Sequence, residues 1–87
     1  MKQGKTNSGF EFEVDENAIN DMEIIDAFVE IQDGNPAAYN TVVKKLFTPE
    51  QKKALYDHVR TDGRVPLDKL AVEINDILSL MGESAKN

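Results

Sequence analysis

The chain has 87 residues, 40% of them hydrophobic, no cysteine and a net charge of −6 at pH 7. That length supports one hydrophobic core, and the lack of cysteine excludes a disulfide framework and thiolate chemistry. The negative charge argues against nucleic acid as the main partner, because phosphate binding needs clustered Lys and Arg. No apolar run reaches the length of a membrane-spanning helix, and MKQGKTNSG has no apolar segment of the secretory kind, so a cytoplasmic protein is expected.

Charge is unevenly distributed. Residues 11–33 carry nine acids and no base, whereas residues 34–71 carry seven bases and four acids. A solvated acidic face accounts for the first stretch; mutual attraction of the two halves, within a chain or between copies, is the sharper alternative.

Residues 1–8 are polar and without pattern, and are expected to be a disordered lead-in. Residues 9–15, GFEFEVD, alternate strictly, with Phe10, Phe12 and Val14 on one side and acids on the other. That is the period of a half-buried strand. A lone strand needs a partner for its backbone, found either at Arg64-Val65 or in another chain. Alternatively, the two Phe rings merely cap a helical core.

A first helix is predicted over Glu16 to Gln32, capped by Asp15. It carries two neighbouring stripes: Ala18, Met22, Ile25 and Val29, and beside them Ile24, Phe28 and Ile31. Together they cover about half the circumference, wider than one packing partner needs. Such a helix either sits centrally between two others or meets a second protein. Asp33-Gly34-Asn35-Pro36 reads as a turn, with Gly34 left-handed. A second helix follows over Pro36 to Phe47, with Tyr39, Val42, Val43, Leu46 and Phe47 on one face. A third runs from Pro49 to Arg60, with Thr48 as N-cap and Gln51 placed to complete a capping box. Asp62-Gly63 turns the chain into a fourth, about Pro66 to Met81, with Leu67, Leu70, Ala71, Ile74, Ile77, Leu78 and Met81 at helical spacing. Gly82 is a candidate stop, and residues 83–87 are expected to fray. The predicted fold is mainly α: a small single domain of about four helices over residues 9–82, with one short N-terminal β-strand.

No residue set forms a convincing catalytic or metal centre. The Asp62-Gly63 turn superficially matches an EF-hand, but that register places His58, Arg60 and Lys69 where calcium needs oxygen ligands. His58 is the single histidine; without Cys or a second His it is a poor zinc site, and no serine or cysteine is placed to form an obvious nucleophile–base pair with it. A boundary histidine is the plainer reading, with Asp57 or Asp62 as possible neighbours. The acid pairs Glu11/Glu13 and Asp15/Glu16 are expected on exposed surfaces, and Lys44, Lys45, Lys52 and Lys53 form a solvated basic corner. No cofactor is implied.

The segment TPEQKKALYDHVRTDGRVP, residues 48–66, resembles one found in small acidic proteins of tailed phages and prophages. The N-terminal GFEFEVDENAINDMEIIDAFVEI fits their order of a short strand leading into an acidic helix. The likeness, over roughly residues 8–80, is to the tail assembly chaperones, encoded between the major tail protein and the tape measure protein. It implies a non-enzymatic role in the bacterial host cytoplasm: coating the long, apolar, helical tape measure protein while tail tube subunits assemble. Such families often also make a longer product by translational frameshifting. They contribute no catalytic residues.

The expected function is therefore tail assembly chaperone, with a small acidic regulatory adaptor or anti-activator that binds a basic protein as the alternative, and a His58-centred enzyme as a third class. The expected partners are protein only, the tape measure protein first, with a homo-oligomer formed through the first helix or the strand. No nucleic acid, membrane or small-molecule substrate is implied. The candidate interaction surface is Phe10, Phe12, Val14, Ile24, Phe28 and Ile31.

Overall fold

The computed structural model describes the backbone of residues 2–85 and the side chains of residues 2–15 and 17–81. The architecture is a two-stranded antiparallel hairpin, β1 (Lys2–Lys5) and β2 (Glu11–Val14), followed by four helices. These are α1 (Met22–Gln32), α2 (Ala38–Leu46), α3 (Pro49–Val59) and α4 (Leu67–Ala85). The mainly helical prediction holds.

The N-terminus departs from the expectation of a disordered lead-in. Residues 2–5 form a strand, and it is they that pair with β2, in the register Lys2↔Val14, Gln3↔Glu13, Gly4↔Phe12, Lys5↔Glu11. Arg64 instead bridges to Thr61 across the Asp62-Gly63 turn, where both central residues have positive φ, 52° and 79°. That is the backbone of a tight two-residue turn, too short for a calcium loop. The partner strand KQGK escapes a periodicity search because it has no apolar residue to alternate. What it contributes is backbone, and Gly4 lets the Phe12 ring lie across it: a Cβ built at Gly4 would stand 2.7 Å from that ring.

The hairpin turn is Thr6-Asn7-Ser8-Gly9. Gly9 donates its N–H to the Thr6 carbonyl at 3.0 Å and has φ 96°, which glycine adopts without strain. The Phe10 N–H is held by Thr6 Oγ1 at 3.0 Å.

The first predicted helix is broken in two. Asp15 caps a 3₁₀ turn, Glu16–Ile19, by accepting from the Asn17 N–H, and Asp21 then caps α1 by accepting from the Glu23 N–H. Two Asp side chains competing for backbone donors stop and restart the chain. At the far end Gly34, φ 95°, donates to Ile31 O and Asn35 to Glu30 O, the paired bonds of a Schellman ending. Helix α2 starts at Ala38, two residues later than expected, because residues 36 and 37 form a turn. Thr48 caps α3 through the Gln51 N–H at 3.2 Å, but the Gln51 side chain does not close a capping box; it accepts from the Glu13 N–H at 3.4 Å, on the flank of β2. Helix α4 runs through Gly82 to Ala85; Lys86 and Asn87 lie outside the described residues.

The core is shared by hairpin and helices. Phe10, Phe12 and Val14 close over Ile24, Ala27, Val42, Val43, Leu46, Phe47, Leu55, Ile74, Ile77 and Met81, all buried. Leu67, expected on the inner stripe of α4, is exposed, and Ala54 on α3 is also outside. No helix among the described residues is long and apolar enough to cross a membrane.

Because Gly4 faces the buried Phe12 ring, Gly4→Val should destabilise the fold by about 1–3 kcal/mol through overpacking. Gln3→Val, on the opposite face of the same strand, should cost far less. Urea unfolding followed by circular dichroism compares the two.

Candidate functional site

Four of the six residues expected to form an interaction surface are internal. Phe10, Phe12, Val14 and Ile24 are 6% exposed or less, and Phe28 and Ile31 are half-buried against the same core. The reason lies in the hairpin: once residues 2–5 supply the missing strand, the Phe-bearing face has no reason to seek another chain. A subunit contact made by the Phe10, Phe12 and Val14 side chains would require that face to leave the core.

The open apolar surface lies on the other stripe of α1. Met22 is 66% exposed, Ile25 47% and Val29 52%. At 100° per residue these three fall within about 60° of arc, while Ile24, Ala27, Phe28 and Ile31 span about 100° on the core side. The excess apolar width visible in the sequence is therefore real, but the outward half is the stripe beginning at Met22. The other exposed large apolar residues, Leu67 and Val72 on α4, stand about 140° apart around their helix and form no stripe.

Along one flank of the stripe, between it and the Ala27 edge of the core face, Glu23, Asp26 and Glu30 form an acidic edge, continued by Asp33 at the C-cap. Only Glu23 has an ion-pair partner among the described residues. Lys45 of α2 reaches it at 3.2 Å and Asp21 at 3.0 Å, clamping the start of α1. That pairing lowers the Asp21 carboxyl below its ordinary value and raises the Lys45 ammonium above its own, with the shared hydrogen bond as the largest cause of both shifts. Among the described residues it is the one ion-pair contact between the acidic stretch and the basic one. The rest of the basic corner is largely engaged: Lys53 pairs with Asp57 at 3.2 Å, and Lys52 lies over the Tyr56 ring at 5.4 Å. Lys53, joined by Arg60, holds the Asp57 carboxyl below its ordinary range.

His58 has neighbours that sequence distance concealed. Ser8 Oγ lies 2.8 Å from its Nε2 and donates to Glu73 Oε1 at 2.7 Å. Thr6 Oγ1 donates to the same oxygen at 2.7 Å, and the Phe10 ring stacks obliquely on the imidazole at 5.3 Å. Asp76 adds a bond from the Asn7 N–H at 2.7 Å. Asp57 and Asp62, expected beside His58, take no part.

A serine beside a histidine invites comparison with a nucleophile and its base, but the proton inventory runs the other way. The one Ser8 hydroxyl proton has two acceptors in reach, Glu73 Oε1 at 2.7 Å and His58 Nε2 at 2.8 Å, and giving it to the carboxylate makes Nε2 the donor to Ser8 Oγ. The carboxylate and the serine also crowd the same ring nitrogen, with Glu73 3.9 Å from Nε2. In a triad the carboxylate orients the opposite nitrogen. The arrangement instead satisfies a buried carboxylate with two hydroxyls and ties the hairpin turn to α3 and α4. A groove of about 450 Å³ opens beside it, with Val59 and Val72 as its apolar part.

Compared with known proteins, the chain matches no family model, no curated protein and no solved structure.

Removing the shared acceptor should loosen the hairpin. Glu73→Ala leaves two hydroxyls without their partner and should cost about 1–3 kcal/mol, whereas Ser8→Ala should cost about 0.5–1.5 kcal/mol. Amide exchange at Phe10 and Phe12 would report the opening directly. For the clamp on α1, Asp21's lowered value means its contribution is full above the ordinary 3.8 and is lost as pH falls through the lowered folded value. Lys45's raised value makes its share present below 10.5 and lost as pH rises past the folded value. The difference in urea midpoint between the unsubstituted chain and Lys45→Met should therefore hold across neutral pH and shrink at both extremes.

Proposed function

We propose that this protein is a non-enzymatic binding protein, a tail assembly chaperone that holds the tape measure protein during phage tail assembly. The observation that carries this reading is the outward stripe of Met22, Ile25 and Val29, three exposed apolar residues aligned on one helix face. A helix with a matching stripe can lie along it, the recognition mode of helix-in-groove complexes. The family resemblance of residues 48–66, and of the strand-then-acidic-helix order, supplies the kind of client.

The size of the stripe is informative. Met22 to Val29 spans about 10 Å of helix, enough to grip only two turns of a partner. One such contact is weak. A long helical client offers many equivalent contacts, and copies bound side by side gain from effective concentration. The net charge of −6 keeps a coated apolar rod soluble. Self-association belongs to the same proposal, arising between copies arrayed on one client. Direct α1-to-α1 pairing is disfavoured, since α1 has no base and two copies would surround the contact with like charge.

The acidic edge favours a second reading, a regulatory adaptor that binds a basic protein through charge alone. The two differ in what breaks the complex. Co-expression with a tape measure protein encoded in the same phage or prophage should yield a co-purifying complex that Ile25→Asp with Val29→Asp abolishes while circular dichroism stays unchanged. No complex at all would sink the chaperone reading. A complex that survives both substitutions but dissolves in high salt would favour the adaptor.

A further inference from the structure

We infer that the segment bound by α1 is a cationic amphipathic helix, its apolar face on Met22, Ile25 and Val29 and its Lys or Arg residues along Asp26, Glu30 and Asp33. This rests on the protein-binding reading above and specifies the chemistry of the partner.

Three observations converge on it. The apolar stripe and the acidic edge are adjacent on one helix, so a partner that covers the first must run its flank along the second. Asp26, Glu30 and Asp33 are exposed and have no ion-pair partner among the described residues, whereas Asp21, Glu23 and Asp57 each have one. The third concerns polarity. A helix C-terminus carries partial negative charge and favours cations. Helix α2 obeys this, with Lys44 and Lys45 in its last turn; α1 ends instead with Glu30 and Asp33 and no base in its last turn. Within the free chain that end of α1 gathers uncompensated negative charge. A cation from outside relieves it.

A second copy of this chain is a poorer occupant. Among the described residues, Lys45, Lys53 and Arg60 already hold carboxylates and Lys52 covers Tyr56, and Lys69, beside exposed Val72, stands on α4, where Leu67 and Val72 form no stripe. The partner that fits has its own apolar stripe with bases on one side.

The test uses three fluorescently labelled helical peptides with the same leucine face, flanked by Lys, by Gln or by Glu, titrated with the whole protein. Affinity should fall in the order Lys, Gln, Glu. Lys should exceed Gln by about five- to tenfold at about 50 mM salt, a gap that narrows at about 300 mM as screening shortens. Asp26→Lys with Glu30→Lys should invert the order, and Ile25→Asp should weaken all three peptides. Both sites are exposed, so circular dichroism should show these variants folded. Equal affinity for all three peptides, still lost in Ile25→Asp, would overturn the inference and leave the binding reading standing. Binding that is absent, or indifferent to Ile25→Asp, would overturn both.

Discussion

A carboxylate taken out of water must be given donors, and Glu73 is such a group: only 5% of its side chain is exposed. Its donors are the hydroxyls of Thr6 and Ser8, which lie in a hairpin turn at the other end of the chain. Satisfying Glu73 thus draws the turn down onto α4, where Asp76 holds it by the Asn7 backbone. With the turn placed, β1 and β2 are placed, and Phe10, Phe12 and Val14 have only one direction in which to bury. A polar contact between residues far apart in sequence decides which apolar residues become core.

That decision also determines what is left for a partner. A helix-rich domain of this size has two sources of surplus apolar surface, the strand face and the broad face of α1. The hairpin consumes the first. Helix α1 packs its Ile24 side inward and leaves Met22, Ile25 and Val29 on the solvent side, next to Asp26, Glu30 and Asp33, which have no ion-pair partner among the described residues. The clamp of Lys45 on Asp21 and Glu23 orients the start of the helix and so presents the stripe.

The same view accounts for His58. Its pairing with Ser8 is a consequence of the turn's docking, and its ring serves as a wall for Phe10 and a donor to a hydroxyl already committed to Glu73. The hydroxyls of Thr6 and Ser8 both serve Glu73, so the junction fastens the turn to α4. On α1, by contrast, Asp26, Glu30 and Asp33 have no ion-pair partner among the described residues.

Several features were legible from residues alone because their causes are local. The helices declare themselves by apolar spacing, and Thr48-Pro49, Gly34 and Asp62-Gly63 mark ends and turns through backbone preferences that no distant contact overrides. The width of the apolar arc on α1 was equally plain. What the chain order could not reveal was which half of that arc faces inward, since both halves have the same period and the choice depends on what packs against them. Strand β1 was hidden because an edge strand of Lys, Gln and Gly carries no alternation; its evidence is the unsatisfied backbone of β2. The break at Asn20 was hidden because Asp15 and Asp21 are both good caps, and only packing shows that both are used. The Thr6–Ser8–Glu73 junction was out of reach for the same reason: hydroxyl and carboxylate stand more than sixty residues apart. Local chemistry therefore specified the elements, and burial of one charge across the length of the chain specified their outward faces.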